Sequence, residues 1–138
     1  MPEPVKVLFV CIANCVRSQT AEAIARHDAS DIVAPESAGV HPLGFIDNTT
    51  QRVPRERGIS YEGQFSKGRR THRLKTPDLI VNMSGIPGNS LFAGKEFEDW
   101  RIGDPFGEPI ELRGSICDDI ERKVKELAAR LRAEQPKP

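Results

Sequence analysis

Apolar and polar positions alternate along the chain in blocks that predict strands and helices in turn. Residues 5–11 (VKVLFVC) are apolar at nearly every position, which is typical of a central strand buried on both faces. Residues 18–28 begin with a serine, carry Glu22 early and carry Arg26 and His27 late, a charge order that suits a helix dipole. A strand, a short loop and a helix therefore open the chain, which is the pattern of an α/β fold.

The remaining chain repeats this alternation. Further strands are predicted at residues 32–37, 78–83 and 97–102. From residue 115 onward, apolar residues recur at spacings of three and four, which predicts a closing helix. A helix over residues 48–58 would contain Pro54, so a late start or a kink is expected there. The basic cluster in residues 66–73 is interpreted as a solvated helix face.

Length and charge restrict the classes of protein that the chain can form. The 138 residues predict a single domain spanning residues 1–138. Lys and Arg together number 20, as do Asp and Glu, so the formal charge is zero and nothing indicates the basic field that nucleic-acid or anionic-membrane binding needs. The longest apolar stretch, residues 7–13, is too short to span a bilayer and does not resemble a signal peptide. We therefore expect a cytoplasmic protein with neither nucleic acid nor membrane as partner.

The three cysteines do not form a recognisable framework. Their number is odd, so at least one thiol is expected to be free, and no Cys-x-x-Cys or paired histidine at zinc spacing accompanies them. The sequence thus predicts no metal and no cofactor. It also raises the question of whether one thiol takes part in chemistry.

The segment Cys11–Ser18 carries the candidate chemistry, because its Cys-x5-Arg-Ser pattern joins a thiol and a guanidinium between a buried strand and a helix. Backbone N–H groups of such a loop can converge on one point, and the first helical turn adds donors and the positive end of its dipole. The same field favours the thiolate of Cys11, which would then be a nucleophile at neutral pH. Arg17 supplies paired planar donors for two phosphoryl oxygens. The alternative interpretation is that Cys11 is only a small buried hydrophobe that ends a strand.

The stretch VLFVCIANCVRS resembles the signature of the low-molecular-weight protein tyrosine phosphatases. The similarity continues along the chain through Ser37-Ala38-Gly39, Gly58-Ile59, residues 78–83 (DLIVNM) and Asp104-Pro105-Phe106. The resemblance implies a three-layer α/β/α fold with a four-stranded parallel sheet. It also implies Cys-dependent hydrolysis of phosphomonoesters through a phosphocysteine intermediate, at the carboxyl end of the first strand.

The resemblance assigns roles to individual residues. It makes Cys11 the nucleophile, Arg17 a binder of the charged transition state, and Asp104 the acid that protonates the leaving oxygen. Ser18 would hydrogen-bond the thiolate and Asn14 would hold the loop shape. The remaining phosphate-binding loop residues are Ile12, Ala13, Cys15 and Val16. The implied substrate is a phosphorylated protein or a small aryl phosphate, and the bound anion is phosphate or a similar oxyanion.

Two phenylalanines are candidates for the walls of the substrate entrance. Phe106 stands beside the expected acid, although a loop phenylalanine is as often simple packing. Leu43, Phe45 and Ile46 form an apolar run in the loop after Ser37-Ala38-Gly39. This run is interpreted as an entrance wall, a dimer contact or neither.

Four positions depart from the family pattern. Ala13 replaces a glycine, which would cost about 1 kcal/mol if that position requires a positive φ. Val16 stands where the family has its second loop cysteine, so a protective disulfide between Cys15 and Cys11 is doubtful. Gln19 replaces a proline, which is similar to the related arsenate reductases. The family's histidine that braces the loop asparagine would fall near Gly63 or Gln64.

These departures leave two other functions open. An arsenate reductase must pass electrons onward through further thiols, and the chain has Asn82-Met83-Ser84 where the thioredoxin-linked reductases carry one. Cys117 is interpreted as a core residue, so arsenate reduction would need an external thiol donor. The third hypothesis, motivated by Ala13, is an inactive phosphate-binding or partner-binding protein.

Overall fold

Strands and helices alternate along the chain, as the hydrophobic pattern predicts. The computed structural model describes residues 3–14, 16–68, 76–103 and 110–135. Its elements, in chain order, are β1 (Val5–Cys11), α1 (Arg17–Asp28), β2 (Val33–Gly39), α2 (Asn48–Glu56), β3 (Leu79–Asn82), α3 (Gly88–Leu91), β4 (Phe97–Asp99) and α4 (Ile110–Glu134). The expected α/β class with a four-stranded parallel sheet is confirmed.

The order of the strands determines where a ligand crevice opens. The sheet runs β2-β1-β3-β4 with every neighbouring pair parallel. From β1 the chain first crosses to β2 on one side and then to β3 on the other, so the direction of winding reverses at β1. Ligands of open parallel sheets bind beyond the carboxyl ends of the strands at such a reversal. Cys11 is the last residue of β1 and pairs with Gly39.

The core explains why β1 is almost wholly apolar. On one face of the strand, Val7 and Phe9 belong to a large buried cluster that includes residues of α1 and α4. On the opposite face, Leu8 and Val10 pack in a smaller cluster with Phe92, which follows α3. Because both faces are covered, no position of the strand's second half can be polar without a partner. Within the described ranges, no helix is long and apolar enough to cross a membrane.

Three local expectations differ from the structure. The late start of α2 is wrong, because the helix begins at Asn48 and includes Pro54 two residues before its end. The last helix begins at Ile110, five residues before the apolar stripe becomes regular. Residues 66–68 are not helical, and Lys67 is only 9% exposed rather than solvated. The rest of that basic cluster, residues 69–73, lies outside the described residues.

Candidate active site

The loop that follows β1 brings the candidate nucleophile to the start of α1. Cys11 is buried, and its Sγ lies 3.0 Å from Ser18 Oγ in the first turn of that helix. Val16 stands at the N-cap and supplies no side-chain hydrogen bond to the first-turn amides. These amides and the positive end of the helix dipole therefore lie next to the thiol, where they favour an anion.

The loop backbone is oriented by three hydrogen bonds on one side. The carbonyls of Cys11, Ile12 and Ala13 accept from the amides of Val40, His41 and Leu43, at 3.0, 2.7 and 3.0 Å. In a trans peptide the N–H points opposite to the C=O, and no cis bond occurs among the described residues. The amides of residues 12, 13 and 14 therefore point away from residues 40–43. Three successive donors on one side of a loop are the arrangement that binds an oxyanion.

Gly39 permits this close approach of the loop to β2. A Cβ on Gly39 would lie 2.8 Å from both the Asn14 backbone nitrogen and the Ile12 carbonyl oxygen. Both atoms belong to backbone that other hydrogen bonds hold, so neither can move cheaply. The glycine of the Ser37-Ala38-Gly39 motif is thus required by contact with the anion loop rather than by its own turn.

We expect Gly39→Ala to displace the loop, because a methyl group has no room there. The free energy of unfolding should fall by about 1–3 kcal/mol, and phosphate binding should weaken with it. Gly68→Ala is the matched control, because its Cβ would make only ordinary contacts with Pro42, 3.6 Å away at the closest. Urea unfolding and phosphate calorimetry on both variants test the prediction. Equal effects of the two substitutions would contradict it.

Asn14 is the residue at which the loop backbone adopts a left-handed conformation. It is fully buried and has a φ of 50°, a left-handed conformation that asparagine tolerates better than most residues. Its Nδ2 donates to Ser18 Oγ at 2.8 Å, so the Ser18 hydroxyl proton is directed to another acceptor. The sulfur at 3.0 Å is nearer than the Ala38 carbonyl at 3.5 Å. Ser18 can therefore donate to Cys11, which stabilises negative charge on the sulfur.

Ala13 does not carry the backbone strain that would follow from a positive φ at this position. Its φ is not positive, because among the described non-glycine residues only Asn14 adopts that region. The methyl group of Ala13 therefore costs no left-handed strain. The motivation for an inactive loop is removed with it.

Gln19 and Gln64 hold Asn14 in place through a chain of hydrogen bonds. Gln19 Nε2 donates to Asn14 Oδ1 at 2.9 Å, to the Asn14 carbonyl at 3.1 Å and to the Phe65 carbonyl at 2.9 Å. Gln64 Nε2 in turn donates to Gln19 Oε1 and to the Gln19 carbonyl. In the sequence, Gln19 differs from the family's proline, and Gln64 stands near the place of the family's histidine that holds the loop asparagine. The sequence did not predict that these two glutamines together hold Asn14.

Arg17 connects the loop to the carboxyl ends of β3 and β4. Its side chain is buried, and Nη1 donates to the Met83 carbonyl at 2.7 Å and to the Ile102 carbonyl at 3.3 Å. These two contacts hold one nitrogen of the guanidinium against the carbonyls that follow β3 and β4. A groove of about 520 Å³ opens beside them, with Ile86, Trp100 and Arg101 among its walls.

The remaining predicted residues fall into two groups. Cys15, Asp104 and Phe106 lie outside the described residues. Phe45 is 52% exposed, in the segment whose Leu43 amide binds the loop at Ala13. Leu43 and Phe65 are also large exposed apolar side chains of the segments that contact the loop. Leu43, Phe45 and Phe65 are thus exposed apolar side chains of the two segments that hydrogen-bond to the loop, on the side of its carbonyls rather than of its amides.

Cys117 lies in a different environment from Cys11. It is buried in the core cluster, as the sequence predicts, and Arg57 Nη1 lies 3.8 Å from its sulfur. Burial raises the pKa of the Cys117 thiol to about 11, which the Arg57 charge opposes only in part. At neutral pH this thiol is protonated, so it is a poor nucleophile for thiol exchange.

Comparison with known proteins gives consistent results over nearly the whole chain. The family model described as low molecular weight phosphotyrosine protein phosphatase matches residues 6–137. A glutaredoxin arsenate reductase from Synechocystis sp. is 29% identical over 91% of this chain and 98% of its own. A protein-arginine-phosphatase from Geobacillus stearothermophilus is 31% identical over 96% of this chain and 99% of its own. The solved structure of an arsenate reductase in its phosphate-binding state superposes with a TM-score of 0.82 at 27% identity, covering 92% of this chain and 98% of that one.

Proposed function

The chain belongs to the low-molecular-weight phosphotyrosine protein phosphatase family, and from this membership we propose that it hydrolyses phosphomonoesters with Cys11 as the nucleophile. The observation that carries the proposal is the backbone of the anion loop. Three carbonyls turned to one side leave the amides of residues 12–14 directed to the other, beside a sulfur that accepts from Ser18. That arrangement binds a tetrahedral oxyanion and stabilises a thiolate with the same donors.

The proposed reaction has two steps. Cys11 Sγ attacks phosphorus in line, so that an S–P bond forms while the bond from phosphorus to the leaving oxygen breaks. Asp104 donates its proton to that oxygen, and the loop amides with Arg17 stabilise the charge on the equatorial oxygens. Water then attacks the phosphocysteine and gives up a proton to Asp104. The S–P bond breaks, and inorganic phosphate and the thiolate are regenerated.

Arsenate reduction is the second candidate, because relatives carry that name and Ser18-Gln19 is similar to those enzymes. Arsenate has the charge and shape of phosphate, so the same loop would hold it. Reduction, however, needs a thiol that resolves the adduct on Cys11. Residues 82–84 supply none, Cys117 is buried with a raised pKa, and Cys15 does not stand at the family's position for a second loop cysteine, which Val16 occupies. The reductase would therefore depend on an external thiol donor, which makes hydrolysis the simpler assignment.

The proposed substrate is a phosphorylated protein or a small aryl phosphate. This assignment follows from the family, and the exposed apolar side chains of Leu43, Phe45 and Phe65, in the segments that hold the loop, offer contacts for an aromatic leaving group or an apolar stretch of peptide. Phe45 is assigned to the entrance wall on this basis, and Phe106 is assigned to it by its place after Asp104-Pro105. Since one relative is named a protein-arginine-phosphatase, phosphotyrosine and phosphoarginine peptides should be compared directly.

One set of assays separates the three functions. The phosphatase should hydrolyse p-nitrophenyl phosphate and should be inhibited competitively by vanadate. A reductase would oxidise glutathione or glutaredoxin only when arsenate is present and would show no such hydrolysis. A binding protein would bind phosphate in calorimetry and do neither. The second or third pattern would refute the proposed function.

The role of Asp104 predicts a dependence on the leaving group. Asp104→Asn removes the proton donor, so esters of poor leaving groups such as phosphotyrosine should slow by about 10²–10⁴-fold. Activated aryl phosphates need less protonation and should slow far less. Rates across a series of aryl phosphates of increasing leaving-group pKa measure this difference. An equal decrease for all substrates in the series would show that Asp104 does not protonate the leaving group.

A further inference from the structure

Lys67 is a buried lysine that the proposed reaction does not use. Lysine is rarely buried unless its ammonium is paired, and Lys67 is only 9% exposed. Its Nζ donates to the Phe65 carbonyl at 3.1 Å and lies over the Phe65 ring, 4.5 Å from the centroid. The nearest carboxylate is that of Glu22 in α1, with Oε1 at 3.8 Å. The ammonium is therefore held inside the protein by a carbonyl, an aromatic face and an opposite charge.

Glu22 is equally unusual in its position. It is buried on the inner side of α1, one turn after the anion loop. Ser37 Oγ donates to its Oε1 at 2.6 Å, and Arg26 pairs with its Oε2. A carboxylate with this many partners is held in one orientation, because both of its oxygens have partners.

The backbone of Lys67 contacts the loop directly. Its amide donates to Asn14 Oδ1 at 2.8 Å, and its carbonyl accepts from the Gly39 amide at 2.8 Å. The segment 64–68 has no helix or strand of its own beyond an isolated bridge between Gly68 and Gly39. Its position therefore depends on contacts with neighbouring elements. Those with α1 include Gln19 to the Phe65 carbonyl, Arg26 to Gln64 and the Lys67–Glu22 ion pair.

We propose that Lys67 is a positioning residue for the anion loop, and that its ion pair with Glu22 fixes the segment whose amide holds Asn14 in the left-handed conformation. Asn14 in turn presents Nδ2 to Ser18, and Ser18 donates to the sulfur of Cys11. A buried charge thus acts on the nucleophile through four named contacts without touching the substrate. This role of Lys67 rests on the proposed function only in that phosphate is taken as the anion that the loop binds.

The charges around Lys67 indicate how the pair responds to pH. Burial lowers the pKa of Lys67; Glu22 and Glu36 raise it, and Arg26 lowers it further. Lys67 therefore loses its proton at a lower pH than an exposed lysine does. The ion pair with Glu22 is present below that pKa and is lost as the pH rises through it. Phosphate affinity should accordingly decline on the alkaline side, where phosphate itself remains a dianion.

Lys67→Met tests the proposal because it removes the charge and keeps the backbone amide and most of the apolar stem. We expect phosphate affinity, measured by calorimetry without turnover, to fall by about tenfold or more. The rate at which iodoacetamide alkylates Cys11 at neutral pH should fall in parallel. Lys67→Arg, which keeps the positive charge, should lose less than Lys67→Met in both measurements.

Arg57→Met is the matched control. It breaks ion pairs from Arg57 to Asp118 and Glu121 of α4, remote from the loop in their contacts, and should lower the free energy of unfolding. Phosphate affinity and Cys11 alkylation should stay within about twofold of the wild type. The proposal is overturned if Lys67→Met binds phosphate within twofold of the wild type, or if Arg57→Met loses as much affinity for a similar loss of stability.

A second variant keeps the test decisive where Lys67→Met does not fold. Glu22→Gln keeps the shape of the side chain but removes the charge that raises the pKa of Lys67. Because this variant has no ion pair to lose, its phosphate affinity should already be reduced at neutral pH and its alkaline decline should be much smaller than that of the wild type. Wild-type affinity at neutral pH with an unchanged decline would refute the role of the pair. If the wild type binds phosphate but hydrolyses no ester, the proposed function fails while these measurements still decide the role of Lys67.

Discussion

Cys11→Ser is expected to lower kcat for p-nitrophenyl phosphate by at least about 10⁴-fold. The serine hydroxyl is not ionised at neutral pH, so the hydrogen bond from Ser18 and the loop donors no longer stabilise a nucleophilic anion. Phosphate should still bind, because its proposed ligands are the backbone amides of the loop and Arg17. Steady-state hydrolysis and phosphate calorimetry on one preparation measure both effects.

Cys117→Ala is the control for this substitution. Cys117 is the other cysteine among the described residues, and its buried thiol has no part in the proposed reaction. Its replacement should reduce stability modestly and leave kcat within about twofold of the wild type. If Cys11→Ser retained turnover, or if Cys117→Ala abolished it, the nucleophile would be wrongly assigned. Loss of phosphate binding by Cys11→Ser would indicate a misfolded loop instead.

Arg17→Lys is expected to reduce kcat/KM by about 10²–10³-fold, although the charge is conserved. The guanidinium contacts the Met83 and Ile102 carbonyls through Nη1, which fixes the position of this planar group at the loop. An ammonium has no planar fork, so it cannot hold two carbonyls and present paired donors to an oxyanion together. The loss should appear in kcat more than in KM, since the charge on the equatorial oxygens is greatest in the transition state.

Arg101→Lys provides the comparison for Arg17. Arg101 is exposed and lines the groove beside the Met83 and Ile102 carbonyls, so it shares the neighbourhood but not the buried contacts. Its conservative replacement should change kcat/KM by no more than about twofold. Equal losses in the two variants would mean that general positive charge, rather than the bound guanidinium, serves the anion. Both variants should be compared at the same ionic strength because exposed charges are screened by salt.

Much of the architecture is local information and could therefore be predicted from the sequence. The unbroken apolar run of β1 has to be a strand covered on both faces, and the cysteine at its end has to lie at the carboxyl edge of the sheet. The helix after it follows from the charge order of residues 18–28. The Cys-x5-Arg spacing, with a strand before it and a helix after it, predicts that the thiol and the guanidinium flank one short loop, and Cys11 ends β1 while Arg17 begins α1.

Helix limits were predicted less well, because propensity competes with packing. Pro54 indicates a helix boundary, and α2, which begins at Asn48, includes it but ends two residues later at Glu56. The last helix begins at Ile110, before its apolar stripe becomes regular. Such limits depend on contacts with other elements that periodicity does not contain.

The sequence by itself indicated the strands, the loop and its thiol and guanidinium, because each of these features depends on neighbours within about ten positions. Only the tertiary structure decided that Arg17 binds carbonyls 66 and 85 residues away, and that Lys67 is buried against Glu22 rather than solvated. A run of basic residues has the same sequence pattern whether or not a buried carboxylate lies close to one of them in the fold. Long-range contacts, which the local pattern does not contain, decide which charged side chains are buried beside the loop.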